Sequence, residues 1–386
     1  MKTLLYRNCL PFVVSLSNHE RLVHLFMGVI LSVLIIPVHG LAAPNSKEGK
    51  IRAKVPRLIQ ALKDPSPENR ASAADLLGQI GPSAAASIPA LTRVVEDPER
   101  AVRKEAATAL GKIGPIVATD PQAVDALAKR VSSPREELEV RLAAVEALGQ
   151  IGPSAQGPGI LRSVLNDPSA EIRQTACAAL GNADSSEETI RALVHLLVDP
   201  QEKVRLTAAD SLGRIGLPVV PFLLKVVADH PEESTRQAAA VALRRIDSAA
   251  VEELAQVLMD PSQEASIRQA SAWALSRLGT SAVPTLRGAL SDPAWRTRQA
   301  AAEALGEIGP PVSEKAKGVE ALIGVLRDPS WQVREASARA LGRIGAPAAH
   351  SALTRTLSED ASLEVRQAAA WALTQIGTPP IADAGE

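Results

Sequence analysis

Aspartate and arginine recur together along this sequence, as in Asp97 with Arg103 and Asp328 with Arg334. A carboxylate held beside a guanidinium could bind an anion or take part in proton transfer. The same pair returns in nearly every stretch of about 33 residues, however, and a catalytic site is needed only once. We therefore predict that these aspartates cap helices and that the charges form a ladder of ion pairs between neighbouring repeats. The predicted ladder comprises Asp97, Arg103, Asp199, Arg205, Asp292, Arg298, Asp328 and Arg334.

Histidine and cysteine, which most often bind metals or act as nucleophiles, are scarce beyond residue 42. His195, His230 and His350 lie far apart, and none has a second histidine or a cysteine at ligand spacing. Cys177 stands where several other units have alanine, so we expect a small buried residue. Neither a glycine-rich phosphate loop nor a Gly-x-Ser-x-Gly turn is present. The sequence therefore predicts no catalytic, cofactor-binding or metal-binding residues.

Tryptophan and arginine are the residue types most enriched where proteins bind partners, and both occur at recurrent positions here. Trp273 and Trp371 occupy a repeat position that is polar in most other units, so we expect them to face solvent. Trp295 and Trp331 each lie three residues after an aspartate. We expect them at turns of adjacent repeats, where the two rings would form an aromatic edge. Plain packing is the alternative for all four. The candidate partner-binding residues are Trp273, Trp371, Arg245, Arg277, Glu303, Arg339, Arg343, Trp295 and Trp331.

An internal repeat sets the elements that must position these side chains. Every unit has one recurrent arginine, and leucine lies seven residues after it. Small residues lie three and four residues after the same arginine, and this spacing predicts one buried helix face. No single unit could bury such a face alone, so the units must stack. Ten units fill residues 51–377. We call the recurring arginine the marker arginine; it is Arg70, Arg103, Arg141, Arg173, Arg205, Arg236, Arg268, Arg298, Arg334 and Arg366.

The unit that ends at Gly216 illustrates the predicted pair of helices. Residues 189–198 carry apolar side chains at helical spacing, and Asp199-Pro200 then interrupts the helix because proline lacks the amide hydrogen. The aspartate is expected to cap the next helix. That second helix spans residues 204–215 and stops at Gly216, because glycine tolerates a left-handed backbone.

The phrase Asp-Pro-x-x-x-Val-Arg-x-x-Ala-Ala-x-Ala-Leu-Gly-x-Ile-Gly resembles the HEAT-like repeat of the phycobilisome (bilin) lyase type and recurs throughout the chain after the leader. The resemblance implies an all-α fold, a right-handed α-solenoid of about ten two-helix HEAT-like repeats whose second helices line the concave face. The same repeat serves scaffolds, adaptors, bilin lyases and some metal enzymes, so it does not fix a function. The related deoxyhypusine hydroxylases bind iron through paired His-Glu motifs, whereas the only His-Glu here is His19-Glu20.

The composition excludes further classes of function. With 42 basic and 43 acidic residues and a net charge of −1, the chain lacks the positive excess that nucleic-acid binding requires. Aromatic residues make up only 2% of the sequence, which suits thin layers of closely packed helices better than the core of a globular enzyme.

The N-terminus is typical of an export signal, because residues 25–36 form an apolar run that Pro37 ends shortly before Ala42. We predict a signal peptide over residues 1–42, a linker over 43–50, the repeats over 51–377 and a disordered tail over 378–386. An uncleaved N-terminal membrane anchor is the alternative, and translation from Met27 is a further one.

Together these features favour a non-enzymatic scaffold or adaptor without cofactors, which binds protein partners along its concave face in the periplasm or another exported space. A bilin-lyase-like enzyme subunit is the alternative, although an export signal fits that activity badly. A deoxyhypusine-hydroxylase-like oxidoreductase is the remaining candidate. We expect no nucleic-acid partner, and membrane contact only if the leader stays uncleaved.

Overall fold

The computed structural model describes residues 53–153, 156–230, 232–246, 248–314 and 317–377. Within these ranges every regular element is a helix, and no strand occurs. None of the helices there has the length and apolar character that crossing a bilayer would require. The predicted leader, linker and C-terminal tail lie outside the described residues.

Ten helix pairs follow one another along the chain, which confirms the predicted all-α stack of two-helix units. The first helices are α1 (Val55–Ala61), α3 (Ile88–Val94), α5 (Pro121–Ser132), α7 (Gly157–Ser163), α9 (Glu187–His195), α11 (Val220–Asp229), α13 (Ser248–Met259), α15 (Val283–Ala289), α18 (Gly318–Val325) and α20 (His350–Glu359). The second helices are α2 (Pro67–Ile80), α4 (Arg100–Ile113), α6 (Leu138–Ile151), α8 (Ala170–Ala183), α10 (Glu202–Ile215), α12 (Glu233–Ile246), α14 (Ala265–Leu278), α16 (Trp295–Ile308), α19 (Trp331–Ile344) and α21 (Leu363–Ile376). A short helix, α17 (Pro311–Glu314), precedes the ninth pair.

The aspartate of the repeat does not cap the second helix, so that prediction was wrong. In the fifth pair, α10 begins at Glu202, and the residue before it, Gln201, makes no side-chain capping bond. Asp199 lies further upstream, where its Oδ1 accepts the backbone N–H of Gln201 at 2.8 Å. The aspartate thus closes the turn that leads into the helix. The predicted stop is confirmed, since α10 ends before Gly216, whose φ is +89°.

The predicted apolar face of the second helices forms the core of the stack. The leucine seven residues after the marker arginine is buried in the first nine units, as at Leu110 and Leu243, and only Leu373 in the last unit is half-buried. Cys177 is also fully buried, as predicted. Burial raises the pKa of its thiol to about 12, so the unreactive neutral form dominates at neutral pH.

Glycine brings successive second helices into close contact. A Cβ atom on Gly78 would lie 2.9 Å from the Cα of Ala109 in the next unit, and one on Gly306 would lie 2.7 Å from the Cα of Ala340. Real Cβ atoms do not approach other atoms so closely, so only glycine fits there. We call this contact the glycine seam. Its glycines, always eight residues after the marker arginine, are Gly78, Gly111, Gly149, Gly181, Gly213, Gly306 and Gly342.

The glycine seam also sets the direction in which the stack curves. Successive second helices meet through glycine and alanine, and their backbones approach one another more closely than those of successive first helices. A stack with one closely spaced layer bends towards that layer. We therefore call the solvent-facing side of the second helices the inner face.

The two ends of the stack depart from this pattern. Leu76 in the first unit stands where later units have alanine or serine against the preceding glycine, and it is 43% exposed. At the other end, Thr374 stands in the glycine position of the last unit, and its hydroxyl donates to the carbonyl of Trp371. Neither end therefore presents the surface that an internal unit offers to its neighbour.

Candidate partner-binding site

The charged residues of the repeat form a ladder, but the ion pairs join different residues from those that the spacing first suggests. Within one unit, Arg334 donates from Nη1 to the backbone carbonyl of Asp328 at 2.9 Å, not to its carboxylate. The carboxylate that it binds belongs to the next unit, where Asp360 accepts from Nε at 2.7 Å and from Nη2 at 2.9 Å. Each such pair, which we call a rung, therefore ties one repeat to the following one.

The same rung recurs in both halves of the chain. The aspartates involved are largely buried, and although burial would raise their pKa values, the arginine hydrogen bonds and the backbone N–H bonds lower them instead. In the third unit a glutamate takes over, since Arg103 binds Glu136 at 2.8 Å and Glu137 at 2.7 Å. The rungs are Arg70–Asp97, Arg103–Glu136, Arg141–Asp167, Arg173–Asp199, Arg298–Asp328 and Arg334–Asp360.

Three consecutive marker arginines interrupt the ladder, contrary to our prediction for Arg205 and Asp292. In the described part of the chain Arg205, Arg236 and Arg268 form no ion pair with an aspartate of the following unit. Longer turns explain the first two breaks. In every rung that uses aspartate, the aspartate lies six residues before the next marker arginine, whereas Asp229 precedes Arg236 by seven residues and Asp260 precedes Arg268 by eight.

The glycine seam is interrupted in the same region. The seam position of the sixth unit is Arg244 and that of the seventh is Ser276. An arginine side chain cannot enter a contact in which a single Cβ would already clash, and Arg244 is exposed to solvent. Helices α12 and α14 accordingly pack less closely than any other neighbouring second helices. The loss of both glycines opens the inner face between α12 and α16.

Trp273 forms one wall of the opening. Two guanidinium groups contact its ring, with the Cζ of Arg277 at 5.0 Å and that of Arg236 at 5.8 Å from the ring centroid. A pocket of about 280 Å³ extends from the ring over small apolar side chains, including Ala270 and Ala300. Trp273 itself is half-buried, so it is less exposed than the polar character of this position in other units suggested.

Glu303 lies where three adjoining pockets meet. It lines the pocket beside Trp273, a second of about 350 Å³ that reaches Trp295, and a third of about 200 Å³ that reaches Arg339 and Arg343. We call the three together the inner-face cleft. It is bounded by helices α11, α12, α14, α16 and α19.

The carboxylate of Glu303 has no ion-pair partner among the described residues, although arginines surround the cleft. Its Oε1 accepts a hydrogen bond from Gln299 at 2.8 Å. Burial raises the pKa of Glu303, and the neighbouring carboxylates of Glu307 and Glu335 raise it further, against the opposing effects of Gln299 and Arg343. Glu303 is thus a partly desolvated anion that a cationic group of a partner could neutralise.

The structure brings six of the nine candidate residues to this cleft and places three elsewhere. Lining residues are Trp273, Glu303, Trp295, Arg339 and Arg343, and Arg277 packs on Trp273. Arg245 lies on α12 but pairs with Asp210 of the fifth unit at 2.7 Å. Trp331, 41% exposed, lies at the start of α19, and Trp295 likewise begins α16, so both are helical and not in turns. Trp371 covers Gly342 near the end of the stack.

Several residues of the cleft were missed from sequence. Arg236 was read only as a marker arginine, but it has left the ladder and faces Trp273. Glu335 was missed as well, and it pairs with Arg339 at 2.9 Å. Arg244 and Ser276 could have indicated the cleft from sequence, because they replace glycine at a position where seven units have it.

No group of histidine, cysteine, aspartate and glutamate side chains within the described ranges is arranged to hold a metal ion. The His19-Glu20 pair lies outside those ranges.

Comparisons with known proteins identify the repeat. The family described as HEAT repeats matches residues 55–149, 157–244, 220–289, 251–318 and 319–384. No curated protein matches the sequence. The bilin-lyase type of repeat that the sequence resembles is not singled out by any of these matches.

Solved structures with a similar arrangement of helices include human deoxyhypusine hydroxylase in complex with glycerol, at 24% identity and a TM-score of 0.29, covering 66% of this chain and 96% of that one. Importin beta is 20% identical with a TM-score of 0.38 and covers 86% of this chain and 46% of its own. The karyopherin Kap121p, bound to the extreme C-terminus of the protein phosphatase Cdc14p, is 15% identical with a TM-score of 0.41, covering 94% and 45%. The chain thus spans less than half of the length of either karyopherin.

Proposed function

This chain belongs to the HEAT-repeat family, and we propose that it is a non-enzymatic scaffold that binds protein partners in an exported compartment. The observation that carries the proposal is the inner-face cleft, where half-buried Trp273 and the unpaired carboxylate of Glu303 lie on neighbouring helices. Extended curved surfaces of this kind are how repeat proteins of the HEAT class engage other chains.

The dimensions and charges of the cleft favour a segment of protein as its occupant. The pocket beside Trp273, of about 280 Å³, has room for one large apolar side chain against the ring. The adjoining pockets continue along the inner face, as an extended segment would require. A lysine or arginine of the same segment would neutralise Glu303, while Arg339 and Arg343 would receive its acidic or carbonyl groups. A binding hot spot commonly combines an aromatic anchor with such charged neighbours.

The test is capture of partners from the cell envelope, followed by direct binding of the purified partner. We expect a partner that binds the unaltered chain but is lost when Trp273, Arg277 and Arg343 are replaced together by alanine. Trp331→Ala is the matched control, because it removes an equally large and more exposed ring outside the cleft. Equal binding by the triple variant, with its helix content intact, would rule out the cleft as the site.

Export is part of this proposal and rests on the leader sequence alone. Mass spectrometry of the chain isolated from its own cells would give the mature N-terminus. A start at Ala43 supports export with cleavage, whereas an intact leader found with the membrane fraction supports the anchored alternative.

A bilin-lyase-like activity remains the second candidate, because the repeat phrase resembles that type. An absorbance spectrum of the purified protein distinguishes the lyase from the scaffold. A lyase would carry or transfer a coloured tetrapyrrole, and a scaffold purified from the same cells would be colourless.

A further inference from the structure

The junction between the sixth and seventh units has neither the seam glycine nor the rung that join most other neighbouring units. Arg244 replaces the seam glycine, and Arg236 has no rung to the seventh unit in the described part of the chain. Every other junction retains at least one of them, except the junction between the seventh and eighth units. There Ser276 replaces the glycine and Arg268 forms no rung among the described residues, but the inner helices α14 and α16 pack more closely than α12 and α14 do. Among neighbouring second helices, α12 and α14 are consequently the least closely packed pair.

The contacts that remain across this junction combine polar side chains at the rim of the pocket with apolar packing between α11 and α14. Arg236 lies over Trp273 at 5.8 Å, and Glu233 approaches Arg277 at 4.0 Å. Both are long polar side chains at the rim of a pocket open to solvent. On the other side of the gap, Val227 and Ala228 of α11 reach the same pocket as Ala270 of α14, an apolar contact whose small side chains allow sliding.

The junctions between the fifth and sixth units and between the eighth and ninth units are rigid by comparison. Between α10 and α12, a Cβ on Gly213 would lie 2.6 Å from the Cβ of Arg245 and 3.0 Å from the carbonyl oxygen of Ala242. Further along, Gly306 meets Ala340, and the Arg298–Asp328 rung bridges the same two units. Close packing of this kind has few alternative arrangements, because a small displacement creates either a clash or a void.

We propose that the junction between α12 and α14 is a hinge, about which units one to six and units seven to ten move as two rigid bodies. Bending opens or closes the gap that Arg244 keeps free of interlocking side chains. The pocket beside Trp273 lies in this gap, so its width changes with the angle between the bodies. The hinge is a property of the chain itself and requires no bound partner.

Pulsed electron paramagnetic resonance between spin labels tests the hinge on the full chain. Labels on cysteines introduced at Lys203 and Ser351, both exposed, report across the junction, whereas labels at Arg100 and Lys203 report within the first body. Both native cysteines, Cys9 and Cys177, are replaced by alanine, which is also the residue that several other units have at the position of Cys177. We expect the distance distribution across the junction to be about twofold wider or more than the one within the body.

Arg244→Gly restores the seam residue and should narrow the distribution across the junction, while the one within the first body stays unchanged. Arg244→Lys is the matched control, since it keeps a long charged side chain and should leave the distribution wide. Equal widths for the two label pairs in the unaltered chain would overturn the proposal, and so would a distribution that Arg244→Gly fails to narrow in a folded protein. Neither measurement involves a partner, so the hinge can fail while the proposed binding function stands, or the reverse.

Discussion

Arg173 binds the carboxylate of Asp199 through two hydrogen bonds, from Nε at 2.7 Å and from Nη2 at 2.9 Å, across the junction between two repeats. Its remaining Nη1 binds the backbone carbonyls of Asp167 and Pro168 in its own unit. One side chain therefore fixes the turn of its own repeat and the position of the next. Arg205 makes the equivalent backbone bonds, to Asp199 and Pro200, but forms no rung.

This difference predicts the contribution of a rung to stability. Arg173→Met removes the partner of Asp199, whose side chain is only 5% exposed, and should lower the free energy of unfolding by about 3 kcal/mol. Arg205→Met removes the same type of backbone bonds without unpairing a carboxylate, and should cost about 1 kcal/mol. Urea denaturation followed by circular dichroism measures both values. Equal losses would show that the carboxylate contributes nothing.

The rungs also predict loss of stability in acid. The pKa values of Asp97, Asp199, Asp328 and Asp360 are held below the ordinary value in the folded chain. The charged form therefore stabilises the fold at every pH above the unfolded value of about 4, and this contribution disappears as the pH falls through the folded pKa values. Denaturation midpoints should stay level from pH 7 to about pH 5 and drop steeply below about pH 4. A midpoint that does not change down to pH 3 would contradict this account.

The glycine seam predicts opposite effects of the same substitution at two sites. Gly181→Ala would place a Cβ 2.5 Å from the Cβ of Ser211, so the unit must shift, at a cost of about 2 kcal/mol. Gly324→Ala lies inside α18 with nothing within 4 Å, and should stabilise the fold by about 0.5–1 kcal/mol because alanine favours the helix. Thermal denaturation compares the two directly, and destabilisation by both substitutions would argue against a steric seam.

Glu303 predicts a conflict between stability and binding. Because its folded pKa is raised, ionisation of Glu303 opposes folding, and the penalty grows as the pH rises through that pKa. Glu303→Gln should therefore stabilise the chain at pH 7, lose this advantage in acid, and weaken partner binding by about tenfold. Denaturation at pH 7 and pH 4, together with direct binding of the captured partner, would check this. A variant that is less stable at pH 7 would mean that Glu303 has a structural role.

The reactivity of the Cys177 thiol should report on unfolding. With its pKa raised to about 12 and no solvent contact, it should not react with a thiol reagent at pH 7.4 in a folded chain that begins at residue 43. In urea it should react fully, to one thiol per chain. Rapid reaction without denaturant would show that the fourth unit opens readily.

The periodic part of the fold could be predicted from sequence because each signal in it is local. The buried leucines, the length of the second helices and the stop at Gly216 follow from spacing within a single unit. The role of Asp199 could not be predicted in this way. A cap and an Asx turn use the same residue a few positions before a helix, and only the backbone geometry separates them.

The site was less accessible because it depends on differences between units. Six candidate residues do meet at the cleft, but Trp273 is half-buried because it packs against the core. Its ring also contacts Arg236, a residue that the repeat pattern predicts to form a rung. That exchange of roles follows from the longer turn before Arg268, which moves Asp260 out of register. The repeat pattern is defined by the residues that the units share. It therefore gives little information about the residues that differ between units, and these residues form the cleft.

Leu76 in the first unit and Thr374 in the last unit disfavour end-to-end stacking of copies of this chain. If two copies stacked end to end, the seam would have to form between Thr374 of one and Leu76 of the other, in place of the internal glycine and alanine. Side chains of that bulk would keep the two helices further apart than glycine and alanine do inside the stack. End-to-end stacking of copies would therefore lack the close helix contact that joins the units of one chain.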